Sequence, residues 1–284
     1  MNEINENELP AEALFSKDAT KEYKMIVRNS SAFGATAFSI GKFIVEGISE
    51  FGEMMSFFVM SLFGKPKFST VAEQFMIIGV RSLPIVFMAS IFTGFIATWQ
   101  VHYLAKDFMG LEYLGMMVVK VVMSELGPTL IGLVLAGRIG AKVAAEVGTM
   151  KVTEQLDAMT CLSLNPIKYI VSPRIIAAFV MTPIMFIYGS IMAIVASQML
   201  ASFAFELSPW VFYNSMKLRF NMNDIYMGLV KSFVFGGITG ITGCFYGFTT
   251  TGGAAGVGAS TRNAVVSASV MILAANLMIS QAMM

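Results

Sequence analysis

Charge is scarce in this chain: Asp, Glu, Lys and Arg together make up 13% of its 284 residues, where soluble domains carry about a quarter. That scarcity argues against a water-soluble fold. With hydrophobic residues at 56% and a mean hydropathy of +0.71, the expected solvent is the bilayer. Histidine is nearly absent, His102 being the one example. No His-Glu-x-x-His, Cys-x-x-Cys or Gly-x-Ser-x-Gly pattern occurs, so metal-assisted and nucleophilic catalysis lack their residues. Two cysteines, Cys161 and Cys244, fall in a loop and in an apolar stretch and suggest neither a disulfide nor a metal site. A net charge of +1, with no dense basic run, gives nucleic acid no footprint. The first sixteen residues hold Glu3, Glu6, Glu8 and Glu12 and no Lys or Arg, the reverse of a signal peptide's basic start. Residues 1–32 are expected to be an acidic, disordered cytoplasmic tail.

What the chain has in abundance is long apolar runs, with room for five or six spans of about 20 residues each. Residues 33–74 form the exception. Lys42, Glu46, Glu50 and Glu53 recur at helical spacing on one face, which predicts an amphipathic helix lying in the interface rather than a span. Each charge at bilayer depth would cost roughly 2.5–3.5 kcal/mol. Five crossings follow within residues 75–284: Ser82 to Val101, Leu114 to Gly137, Ile175 to Phe205, a fourth from near Ile225, and Ala264 to Met284. The fold class is therefore an all-α integral membrane protein. Loop charges orient it. A cytoplasmic N-terminus puts thirteen Lys and Arg inside, among them Arg138, Lys142, Lys151, Lys168 and Arg174, against Lys106, Lys217 and Arg219 outside. The C-terminus is then periplasmic. Trp99, Tyr103, Tyr113, Trp210 and Tyr213 fall near the outer ends of spans, as an aromatic belt would.

Two charges stand inside predicted spans, Glu125 and Lys231. Ions buried in hydrocarbon face a protein interior or a wet cavity, so the two are candidates for one polar pocket or for a purely structural pair. The glycines of Gly253-Ala-Ala-Gly-Val-Gly258 mimic phosphate-loop spacing, but Ala259 stands where the lysine is needed; a flexible turn between spans four and five is expected instead. The polar stretch Glu146–Met159 has the composition of a short helix, with Thr153 as N-cap and Gln155, Leu156 and Met159 within reach of a partner groove. An ordinary loop would have the same composition.

The runs Glu125-Leu-Gly-Pro128, Ala136-Gly-Arg-Ile-Gly-Ala141 and Ala145-Glu-Val-Gly-Thr-Met-Lys-Val-Thr-Glu-Gln-Leu-Asp157 resemble the signature of MlaE-type permeases. Asn165-Pro166, Ser172-Pro-Arg174, Leu229-Val-Lys-Ser-Phe-Val-Phe-Gly236 and Thr251-Gly-Gly-Ala-Ala-Gly-Val-Gly258 extend the resemblance from about Phe33 to the C-terminus. It implies a homodimer of five-span permeases in the bacterial inner membrane that moves phospholipid. A cytoplasmic ABC ATPase, which holds ATP and Mg, would dock beneath it, and periplasmic MCE-domain subunits would sit outside; the chain itself has no cofactor. On this likeness Glu125, Leu126 and Lys231 line the lipid cavity, and Lys151, Glu154, Gln155 and Asp157 belong to a coupling helix between spans two and three. Two other classes stand against it: an ion-coupled secondary transporter using Glu125, and an intramembrane lipid enzyme, for which no catalytic group is found.

Overall fold

The computed structural model describes residues 52–61, 66, 68–107, 110–218 and 220–283. Two compact units divide the chain, Met1–Met55 and Ser56–Met284, and the description concerns the second. The acidic tail and most of the interfacial helix, with Lys42, Glu46 and Glu50, lie outside the described residues.

A backbone crossing hydrocarbon must satisfy every N–H and C=O within itself, which leaves apolar runs only the helix. The described residues contain no strand. Five helices are long and apolar enough to span a membrane: α1 (Phe68–Ala105), α2 (Leu111–Val152), α4 (Ile167–Phe205), α6 (Met222–Phe248) and α7 (Gly253–Met283). Between them lie two short helices, α3 (Gln155–Cys161) and α5 (Pro209–Leu218). Strict up-and-down order brings residues 106–107, 110, 206–218, 220–221 and Met283 to one end of the bundle, here the Asn221 end. Residues 153–166 and 249–252 share the other, the Glu154 end. All five aromatic belt residues sit at the Asn221 end and are exposed, Trp210 and Tyr103 most of all.

Buried hydroxyls let these helices pack closely at little cost. Ser82, Ser90, Thr93, Thr98, Thr182 and Thr239 each donate to the carbonyl four residues earlier in their own helix, so none is left unsatisfied. Ser197 Oγ lies between the carbonyls of Ala193 on its own helix (2.7 Å) and Gly94 on α1 (3.0 Å). At Gly94 a side chain would run into the Ala193 carbonyl, so only glycine permits that α1–α4 approach.

The spans exceed their expected lengths, and in α1, α2, α4 and α7 mainly at the Glu154 end. α2 has 42 residues, about 63 Å at 1.5 Å per residue and twice the hydrocarbon thickness. The polar segment from Arg138 onward was expected to leave the membrane as a loop; it continues as helix because Val143, Ala144 and Val147 are fully buried against the bundle. Gly247 of α6 faces this extension at backbone distance: a Cβ there would lie 2.8 Å from Val147 Cβ and 3.0 Å from Ala144 O. The glycines after Thr251 also depart from expectation. The turn is confined to 249–252, and Gly253 already opens α7.

Candidate functional site

About a third of the way along α2 the sequence Ser124-Glu-Leu-Gly-Pro128 coincides with a local defect. Residues Val122–Leu126 are wound as a π-helical turn, a form that appears mostly as isolated turns at functional positions. Pro128 has no N–H to donate four residues back, so the Ser124 carbonyl loses its regular helical partner. Lys231 of α6 supplies one: its Nζ donates to Ser124 O at 2.9 Å. The same ammonium lies 2.7 Å from Glu125 Oε1 and 2.7 Å from Ser280 Oγ of α7. Three hydrogen-bonding contacts match the three donors of a lysine, which is how a fully buried cation is tolerated.

Glu125 completes the group and, of the two charges, is the one with access to the exterior, with 31% of its side chain exposed against none of Lys231. Its Oε2 accepts from Asn276 Nδ2 (3.3 Å) and its Oε1 lies 2.8 Å from Ser280 Oγ. The Ser280 hydroxyl has one proton and two acceptors at 2.8 Å, Glu125 Oε1 and the Asn276 carbonyl. Asn276 Oδ1 is buried without a partner. The two charges thus meet as an ion pair held by three helices, with spare hydrogen-bonding capacity at the open side. Leu126 is not brought to this group; it packs half-buried among the apolar residues around Val122 and Ile194.

Asn276 and Ser280 were not singled out in the sequence. They stand four apart in the apolar run of α7 and so share a face, which was the available signal.

The proposed docking segment has a different form from the one expected. Thr153 does not cap a new helix; it ends α2, its Oγ1 donating to Thr149 O at 2.8 Å. Glu154 takes the N-cap position of α3 with a left-handed backbone, φ 60°. Lys151 Nζ bonds both carboxylate oxygens of Asp157, at 2.9 and 3.2 Å, across the bend, and Gln155 Nε2 donates to Thr153 Oγ1 at 3.0 Å. Leu156 is buried in the protein's own core beside Val147 and Val171, so no partner reaches it. Within residues 153–166 the large exposed apolar side chains are Leu162 and Leu164.

The π-helical turn overlaps the Glu125–Pro128 run, the ion pair joins that run to the Leu229–Gly236 run, and the bend falls in the Ala145–Asp157 run. His102 stacks on Phe205 with ring centroids 3.9 Å apart and joins neither site. Among the described residues no cluster of His, Cys, Asp or Glu is arranged to hold a metal ion.

Comparison with known proteins covers both sites. The profile of the family described as Permease MlaE matches residues 71–282. A protein of Rickettsia typhi named a probable ABC transporter permease is 36% identical over 246 residues, covering 85% of this chain and 95% of that protein. A Synechocystis protein with the same description is 37% identical over 226 residues, 78% of this chain and 85% of that protein. One from Porphyra purpurea is 35% identical over 201 residues, 70% and 75% respectively. A match running through the whole five-helix bundle, with both sites inside it, makes this chain a member of the MlaE permease family and a permease subunit of an ABC transporter.

Proposed function

We propose that this permease passes phospholipid between the bacterial inner membrane and a periplasmic MCE-domain carrier, as a homodimer driven by a cytoplasmic ATPase. The observation that carries the reading is the Lys231–Glu125 pair, a fixed charge group inside an otherwise apolar bundle and open on the carboxylate side. Acyl chains need apolar walls, and a charged headgroup needs a few fixed polar partners; the group formed with Ser280 and Asn276 supplies the second beside the first. ATP and Mg belong to the partner. The α2–α3 bend, with Lys151, Glu154, Gln155 and Asp157 at its surface, is the element on which that ATPase pushes. Its support is the rigidity of its base: α2 stays helical to Val152 and is packed against α6 and α7. The N-terminus and the Glu154 end are then cytoplasmic, and the Asn221 end and C-terminus periplasmic. The exposed apolar face of α7, with Val266, Val270, Leu273 and Leu277, suits a second copy of the chain.

Affinity purification from native membranes in mild detergent, with mass spectrometry of proteins and lipids, tests the reading. An ATPase, an MCE-domain protein and bound phospholipid are expected together. A chain that purifies without lipid and without an MCE-domain protein would overturn the lipid-carrier reading and favour ion coupling through Glu125.

A further inference from the structure

Above the ion pair, towards the Asn221 end, the bundle opens into a polar cleft of about 470 Å³, within the range of small-ligand sites. Its walls come from two helices and its rim from a third: Lys120 and Ser124 on α2, Asn223, Asp224 and Tyr226 at the start of α6, and Met283 on α7. The cleft adjoins the ion-pair site through Ser124, which lines the cleft and whose carbonyl accepts from Lys231 Nζ.

Its charges differ in kind from those of the ion pair. Lys231 and Glu125 satisfy each other at 2.7 Å. Lys120 and Asp224 face one cleft from opposite helices, yet neither lies within ion-pair distance of an opposite charge among the described residues. Asp224 is not needed as the cap of α6 either, since Asn221 Oδ1 already accepts from Asn223 N at 3.1 Å. A cation and an anion facing one cleft without pairing are complementary to a ligand carrying both charges.

We infer that this cleft selects zwitterionic phospholipid headgroups, Lys120 taking the phosphate and Asp224 the terminal ammonium, with phosphoethanolamine as the fitting chemistry. This rests on the phospholipid reading above. A phosphoglycerol headgroup also satisfies Lys120 but brings no cation for Asp224, which then pays desolvation without a partner; discrimination comes from that unpaired charge. A primary ammonium donates hydrogen bonds to the carboxylate as well as charge.

The test uses the full-length chain, purified and equilibrated with mixed vesicles of equal phosphatidylethanolamine and phosphatidylglycerol, with bound lipid then counted by mass spectrometry. The wild type is expected to carry ethanolamine lipid in excess. Asp224→Asn should lower the bound ethanolamine-to-glycerol ratio by about fivefold, the size of one partly exposed ion pair of about 1 kcal/mol. Asp224→Glu should restore it, and Lys120→Gln should reduce both lipids together. A ratio unchanged by Asp224→Asn, or a wild-type ratio equal to that of the vesicles, overturns the inference while leaving phospholipid transport standing. A wild type that binds neither lipid overturns the transport reading itself.

Discussion

Arg174 Nη2 lies 3.3 Å from Glu146 Oε2, tying the start of α4 to the extension of α2 at the Glu154 end. The guanidinium is nearly buried, with 8% of its side chain exposed; its Nη1 donates to Ile170 O at 3.0 Å, and its Nε has no partner. Among the described residues Glu146 is thus the one carboxylate paired with this cation, and it is shared with Lys142 at 3.6 Å. Removing one member of a buried pair leaves an uncompensated charge, which costs roughly 3–5 kcal/mol. Glu146→Ala is expected to lower the thermal unfolding midpoint of the purified protein substantially. Glu146→Leu combined with Arg174→Met should recover most of that loss, because an apolar pair leaves no stranded ion. A single variant as stable as the wild type would show that the pair does not hold the two helices.

The Lys231 group responds differently to its two single changes. Glu125→Gln leaves the ammonium fully buried among neutral acceptors only, the Ser124 carbonyl, the Ser280 hydroxyl and the new amide oxygen, and should destabilise by roughly 3–5 kcal/mol because the charge is no longer compensated. Lys231→Met removes the ion but orphans the Ser124 carbonyl; that costs about 1–3 kcal/mol, and Glu125 retains some access to water. Glu125→Gln with Lys231→Met should fold and assemble, yet fail to move lipid. Transport by the double variant at the wild-type rate would assign the pair to structure alone. Thermal unfolding and a lipid-transfer assay read the two effects separately.

The main architecture was legible in the residues because hydrophobic length is a bilayer constraint, indifferent to detail. Uncharged runs such as Ile175 to Phe205 located a span without any tertiary knowledge. Where α2 ends was not legible, since Arg138, Lys142, Glu146 and Lys151 look like a loop until one sees that Val143, Ala144 and Val147 between them are buried. Glu125 and Lys231 stood out because charges in apolar runs are expensive. Ser280 and Asn276 did not, because neutral polar residues are common enough in membrane helices to pass unnoticed. The partnership of Pro128 with Lys231, through the carbonyl the proline leaves free, needed the three-dimensional register of α2 against α6.

Gly247 gives a steric test of that register. A methyl group there would meet Val147 Cβ, Ala144 O and Gly148 N at 2.8–3.2 Å, and two of these three contacts are backbone atoms that cannot rotate away. Gly247→Ala is expected to cost about 1–3 kcal/mol, as overpacking does, and to separate the α2 extension from α6. The readouts are the unfolding midpoint and the number of lipid molecules moved per ATP. Gly137, where a Cβ meets nothing within 4 Å, supplies the control: Gly137→Ala should be neutral or slightly stabilising through helix propensity.

The bend at Glu154 separates stability from coupling. Its Lys151–Asp157 pair is substantially exposed, with 31% and 59% of the side chains accessible, so Asp157→Asn should change stability by less than about 1 kcal/mol. Glu154 holds φ at 60°, a conformation that costs a non-glycine residue about 1 kcal/mol or more. Glu154→Gly removes that strain and should leave the bend formed, slightly stabilised, but without its carboxylate. If the ATPase pushes on this bend, both variants should keep the complex assembled and hydrolysing ATP while the lipid moved per ATP falls severalfold. Wild-type coupling in both variants would place the ATPase contact elsewhere on this end, with the exposed Leu162 and Leu164 the next residues to substitute.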